Sequence, residues 1–132
     1  MIVVLDASAA IEIALNREHS TSFRDLIRQS DLVLAPDTFP SEITNVFWKY
    51  ATYSNMPIEV CEKGIDYCLD LIDDYIETTS LCREVFSESY KNNHAAYDLF
   101  YIVTARRFNA SLLTRDAKMK AIAEALKIII LT

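Results

Sequence analysis

The chain has 132 residues, 52% of them hydrophobic and 11% aromatic, and its formal net charge is −6. This length and composition indicate one folded domain with its own core, and they exclude a disordered chain. The acidic balance argues against a protein that binds nucleic acid through an overall basic surface.

The cysteines and the apolar runs indicate where such a chain resides. Cys61, Cys68 and Cys82 lack C-x-x-C spacing, so they favour buried thiols in a reducing compartment over a disulfide framework or a zinc site. No apolar run has the length of a membrane span, and no secretory signal is visible. We therefore expect a single domain over residues 1–132 that is cytoplasmic and makes no contact with a membrane.

Short apolar runs alternate with longer segments of helical spacing along the chain. The predicted strands, in chain order, cover residues 2–5, 32–35, 75–78, 111–114 and 128–131. The predicted helices cover residues 8–15, 21–30, 40–53, 58–72, 81–92, 95–107 and 117–126. This alternation is typical of a parallel sheet covered by helices on both faces. We therefore predict an α/β fold, a three-layer α/β/α sandwich around a central, mainly parallel sheet of five strands.

Four acidic residues occur at strand ends or helix starts. Asp6 follows the first strand in VVLDASA, and Asp116 follows the fourth. Glu42 and Asp98 fall in the first turns of predicted helices, where the helix dipole favours negative charge, so helix stability alone accounts for either one. In parallel sheets, ligands bind beyond the carboxyl ends of the strands.

Such acids need a compensating charge when they share one pocket. Two carboxylates about 4 Å apart repel by about 4 kcal/mol at an effective dielectric of about 20. A group of four therefore requires protons or a divalent cation. Oxygen ligands without histidine or cysteine favour Mg²⁺ or Mn²⁺ over zinc.

Four segments carry a resemblance to a known family: VLDASA, PSEITNVFWK, AAYDLFYIVTAR and LLTRDAKM. They occur in the order and approximate spacing of the PIN-domain nucleases, and the chain most resembles the small single-domain toxins of the VapC type. The resemblance covers nearly all 132 residues. It implies a PIN-like fold and a Mg²⁺- or Mn²⁺-dependent endoribonuclease that hydrolyses RNA phosphodiester bonds. It also implies the toxin role in a type II toxin–antitoxin system, a VapB-like antitoxin as partner, and a homodimer.

The resemblance also assigns roles to individual residues. It gives catalysis and metal binding to four acids: Asp6, Glu42, Asp98 and Asp116. It gives hydrogen-bonding support of these carboxylates to three neighbours: Ser8, Asn45 and Thr114. We expect Arg115, beside Asp116, to contact the RNA substrate, and Trp48 to anchor a protein partner. His94, four residues before Asp98, is expected at a helix start or on the surface.

Two other classes of function stay open. One is a non-catalytic binding module that keeps the fold. The other is a different Mg²⁺-dependent phosphoryl-transfer enzyme on an α/β sheet. A phosphatase of the haloacid dehalogenase type has D-x-D after its first strand, but the third position here is Ser8. A receiver domain has a lysine after its last strand, which the terminal IIILT lacks.

Overall fold

A computed structural model describes residues 1–132 and contains one parallel sheet of four strands in the order β3-β2-β1-β4. The strands are β1 (Ile2–Leu5), β2 (Leu32–Pro36), β3 (Asp74–Ile76) and β4 (Ser111–Leu113). β1 lies inside the sheet, and Val3, Val4 and Leu5 are completely buried. A continuous apolar run is what a strand covered on both faces requires, so the α/β fold with a parallel sheet is confirmed.

Strand register brings the carboxyl ends of the strands to one edge. Val4 of β1 pairs with Leu34 of β2 on one side and with Leu112 of β4 on the other. The residues that follow β1 and β4 are therefore neighbours in space. The backbone N–H of Asp6 donates to the carbonyl oxygen of Leu113 at 3.2 Å, which extends this pairing to the first residue beyond the strand.

Seven helices connect and cover the strands. They are α1 (Ala7–Ala14), α2 (Ser20–Gln29), α3 (Phe39–Tyr53), α4 (Ile58–Asp70), α5 (Cys82–Asn92), α6 (Ala96–Arg107) and α7 (Ala117–Ala125). α6 packs against β1 and β2, while α1, α3 and α4 pack together. The α3–α4 contact needs Gly64, because a Cβ there would lie 2.4 Å from the Phe47 ring. No helix combines the length and the apolar character that crossing a membrane would need.

The predicted fifth strand at residues 128–131 is wrong. This segment makes one isolated parallel bridge, between Ile130 and Leu112 of β4. Lys127 adopts a left-handed backbone conformation just before it, with φ of 63°, and Ile129 is 68% exposed. Two backbone hydrogen bonds form this bridge: the Leu112 N–H donates to the carbonyl oxygen of Ile129 at 2.8 Å, and the Leu131 N–H donates to that of Leu112 at 2.9 Å. The third strand, predicted at residues 75–78, begins one residue earlier and ends two residues earlier, at Ile76.

Candidate active site

A pocket of about 490 Å³ lies at the carboxyl edge of the sheet. All four predicted acids line it: Asp6 after β1, Glu42 on α3, Asp98 on α6 and Asp116 before α7. These residues come from four segments that are far apart in sequence. The shared strand edge and the first turns of α3 and α6 place them together, as the sequence predicted.

Asp6 is the most deeply buried of the four, at 3% exposure. Its carboxylate caps α1 by accepting the Ala9 N–H at 2.9 Å, and it accepts the hydroxyls of Thr114 at 2.6 Å and Ser8 at 2.8 Å. Burial nevertheless raises the pKa of Asp6 from 3.8 to about 6, and the charge of Asp98 adds to the effect. The three hydrogen bonds act in the opposite direction. Helix capping thus explains the position of Asp6 but leaves its charge uncompensated.

Two hydroxyls link the first acid to the fourth. Thr114 Oγ1 accepts the backbone N–H of Asp116 at 3.0 Å, and Ser8 Oγ accepts that of Arg115 at 2.9 Å. Asp116 in turn caps α7 by accepting the Met119 N–H at 3.0 Å. Ser8 and Thr114 therefore lie where the sequence predicted, as hydrogen-bonding neighbours that orient Asp6 and the turn after β4.

Glu42 has one satisfied and one unsatisfied carboxylate oxygen. The hydroxyl of Tyr101 donates to Oε2 at 3.2 Å, whereas Oε1 is buried with no hydrogen-bond partner. Burial raises the pKa of Glu42 from 4.5 to about 7. The Tyr101 hydrogen bond opposes this shift, and the charges of Asp6 and Asp98 add to it. Burial and the same acids raise the pKa of Tyr101 far above its usual range.

Asp98 has a histidine partner. His94 lies four residues before Asp98 in the chain, and its Nε2 is within hydrogen-bond distance of Asp98 Oδ2, at 2.7 Å. Both side chains are partly buried. His94 thus lies just before the start of α6, as expected, and its ring also contacts one of the four acids.

The structure does not bring Asn45 to these carboxylates. α3 presents Glu42, Val46 and Tyr50 to the pocket, at a spacing of four residues. Asn45 is exposed on the neighbouring face of the helix, where it lines a separate open depression together with Trp48. Trp48 itself is 52% exposed.

The donor set of the pocket fits a hard divalent cation. Carboxylate oxygens are the ligands that Mg²⁺ and Mn²⁺ prefer, and the unpartnered Glu42 Oε1 is available to bind one. Burial raises the pKa values of Asp6 and Glu42, and no positively charged side chain is close enough to either carboxylate to lower them. No three of the acids converge into a closed metal cluster.

The sequence matches the PIN domain family over residues 3–125. The chain belongs to the PIN-domain family. PAE2754 from Pyrobaculum aerophilum has a similar fold, with a TM-score of 0.75, 20% identity, and coverage of 96% of this chain and 86% of that one. VapBC2 from Rickettsia felis, solved bound to a DNA fragment from its promoter, gives a TM-score of 0.69, 17% identity, and coverage of 99% and 98%. None of the curated proteins matches this chain in sequence.

Tyr101 and Glu12 are among the pocket residues of this PIN domain that were not predicted from the sequence. Tyr101 is buried beside Glu42, and Glu12 is a fifth acid in the pocket, at 5% exposure. Both positions carried a usable signal. Glu12 lies four residues after Ser8, and Tyr101 lies three after Asp98, so helical spacing places each on the face of a predicted site residue.

Proposed function

We propose that this PIN domain is a metal-dependent endoribonuclease that hydrolyses RNA phosphodiester bonds. One observation carries the proposal: four carboxylates from four distant segments share one pocket. Burial and mutual repulsion make this arrangement unfavourable for the empty fold, so stability alone does not account for it. Membership of the PIN family supports a nuclease in particular.

In this proposal, Asp6, Glu42 and Asp98 hold Mg²⁺ or Mn²⁺, and Asp116 binds the ion or positions a water. When bound, such a cation supplies positive charge that stabilises the charge developing on the phosphate and makes a water more acidic. The protein's own contribution is orientation. Ser8 and Thr114 hold Asp6, and the other three carboxylates are held by Tyr101, His94 and the start of α7.

We also propose that the protein is the toxin of a type II toxin–antitoxin system. The support is the similar fold of VapBC2 from Rickettsia felis and the motif order of the sequence. The expected partners are RNA, a VapB-like antitoxin and a second copy of the chain. Exposed Trp48 and Tyr53, whose rings meet edge to face at 5.7 Å, provide an aromatic surface for a protein partner. A cytoplasmic location stays a prediction.

Cleavage of total RNA by the purified protein tests the nuclease proposal. The reactions contain Mg²⁺, Mn²⁺ or EDTA, and they compare the wild type with Asp98→Asn. Asp66→Asn is the matched control, because Asp66 is exposed on α4 and does not line the pocket. We expect discrete fragments that require the metal, persist in Asp66→Asn and disappear in Asp98→Asn.

Other outcomes would redirect the interpretation. Absence of cleavage in either metal, with the protein folded and free of partners, would favour a non-catalytic binding module. Fragments that persist unchanged in Asp98→Asn would contradict the assigned site and indicate a contaminating ribonuclease.

A further inference from the structure

The pocket contains an ion pair between a buried acid, Glu12, and the guanidinium of Arg115. Glu12 lies on α1, and its side chain is only 7% exposed. Its Oε2 accepts the backbone N–H of His19 at 2.7 Å, which fixes the carboxylate in place. Its Oε1 lies 3.5 Å from Nε of Arg115, whose side chain is 39% exposed.

The geometry leaves the outer end of Arg115 free. The ion pair uses Nε, and neither terminal nitrogen has a hydrogen-bond or ion-pair partner in the structure. The Arg115 backbone is fixed as well, because its N–H donates to Ser8 Oγ at 2.9 Å. A guanidinium held at Nε presents its two terminal nitrogens as a planar fork, which matches two oxygens of a phosphate.

A second guanidinium at the pocket is held in a comparable way. Arg17 donates to the hydroxyl of Tyr50 at 2.8 Å, and its guanidinium lies 5.5 Å from the centre of that ring. Arg17 and Arg115 both line the pocket, and their charge is opposite in sign to that of the four acids. A strand of RNA can therefore meet positive charge at this pocket although the chain as a whole is acidic.

We propose that Glu12 is a positioning residue that holds Arg115 for binding a phosphate of the RNA strand. This inference rests on the proposed function, since it concerns the substrate of that same pocket. Without Glu12, the guanidinium of Arg115 regains its rotamers and has the neighbouring carboxylates of the pocket as alternative partners. The phosphate then has to displace those contacts.

The substitution Glu12→Gln distinguishes a positioning role from a general electrostatic effect, because the two predict opposite changes in RNA affinity. Removing a negative charge from an acidic pocket should strengthen RNA binding if charge alone matters. If Glu12 positions Arg115, the same substitution weakens binding. The glutamine keeps an oxygen that can accept the His19 N–H, so the local backbone contact is retained. Glu62→Gln, at an exposed position on α4, is the control for the same charge change.

The experiment measures fluorescence anisotropy of a labelled oligoribonucleotide of mixed sequence in Mg²⁺. Every protein carries Asp98→Asn, the substitution expected to stop cleavage. We expect Glu12→Gln to weaken binding by about fivefold and Arg115→Gln by about tenfold, as for loss of a charged hydrogen bond at a partly exposed site. Arg115→Gln should also lower the salt slope by about one. The double variant should bind no more weakly than Arg115→Gln alone.

Kinetics with Asp98 restored supply a second readout. Glu12→Gln should raise KM and leave kcat near the wild-type value, whereas a distorted pocket would lower kcat. Binding of Glu12→Gln as tight as that of Glu62→Gln, or additive losses in the double variant, would overturn the proposal. Weakened binding in a protein that never cleaves RNA would support the phosphate contact and reject the nuclease. Cleavage with unchanged KM in both Glu12→Gln and Arg115→Gln would reject the phosphate contact of Arg115 and its positioning by Glu12, and would leave the nuclease proposal intact.

Discussion

The unsatisfied carboxylate of Glu42 predicts that Glu42→Gln stabilises the metal-free protein. Burial raises the pKa of Glu42 from 4.5 to about 7, which corresponds to a destabilisation of about 3 kcal/mol for a fully buried group at alkaline pH. Because Glu42 is only partly buried, solvent screening reduces this figure, and we expect about 1–2 kcal/mol. The glutamine carries no charge and can still accept the hydrogen bond from Tyr101.

The sign of the pH dependence follows from the same shift. The folded state holds the Glu42 proton more tightly than the unfolded state, so the ionised group destabilises the fold above the folded pKa. As the pH falls from about 7 toward about 4.5, the free energy of unfolding of the wild type should therefore rise. Asp6 contributes with the same sign between about 6 and 3.8, and this contribution persists in the variant.

Urea unfolding followed by circular dichroism in EDTA, at several pH values from about 5 to about 8, tests both statements. Glu62→Gln serves as the surface control for loss of a glutamate charge. We expect Glu42→Gln to be more stable than the wild type near pH 8 and the difference to shrink toward pH 5. A variant that is less stable at pH 8, or that retains the full pH slope of the wild type, would refute the reasoning.

Three further predictions concern the core, the hydroxyl network and the metal. Gly64→Ala should lower the free energy of unfolding by about 1–3 kcal/mol, because its Cβ would lie 2.4 Å from the buried Phe47 ring. Lys63→Ala, at an exposed neighbouring position on α4, should leave the stability close to that of the wild type. Thermal unfolding of the two variants tests this difference. Thr114→Val removes the 2.6 Å hydrogen bond to Asp6 and should lower the free energy of unfolding by about 1–3 kcal/mol. Thr114→Ser keeps the hydroxyl and should retain most of the wild-type stability, as measured by urea unfolding. Mn²⁺ at about one hundred times its Kd for the wild type should raise the free energy of unfolding of the wild type by about 2.7 kcal/mol. The same concentration should stabilise Glu42→Gln by less, because Glu42 is a proposed metal ligand. Equal stabilisation of the two proteins in calorimetry would contradict metal binding by Glu42.

The sequence predicted the sheet best where a short apolar run forms a strand that helices cover on both faces of the sheet. β1 and β2 follow from their apolar residues alone, and the first-turn positions of Glu42 and Asp98 follow from helical periodicity. Residues 128–131 have the same composition as a strand, yet they make only one bridge to β4, after a left-handed turn at Lys127. How far such a segment pairs depends on its tertiary surroundings, which composition alone does not report.

Helical spacing located the second carboxylate but did not decide which of its neighbours faces the pocket. Positions three and four residues after Glu42 both lie near its face, and packing places Val46 in the pocket and Asn45 outside it. Glu12 was missed for a related reason. A glutamate on a short helix usually points to solvent, whereas this one is buried and contacts the His19 N–H and Arg115.

The hydrogen bond between Thr114 and Asp6 joins residues 108 positions apart in the chain. A chain emerging from the ribosome makes the first acid early, but that acid has no hydroxyl support and no fourth carboxylate beside it until β4 has formed and Asp116 has followed. The pocket is thus absent from every shorter nascent chain, however well the rest of the sheet has formed. If the protein cuts RNA as proposed, this order of assembly would delay activity until nearly the whole described chain has left the ribosome.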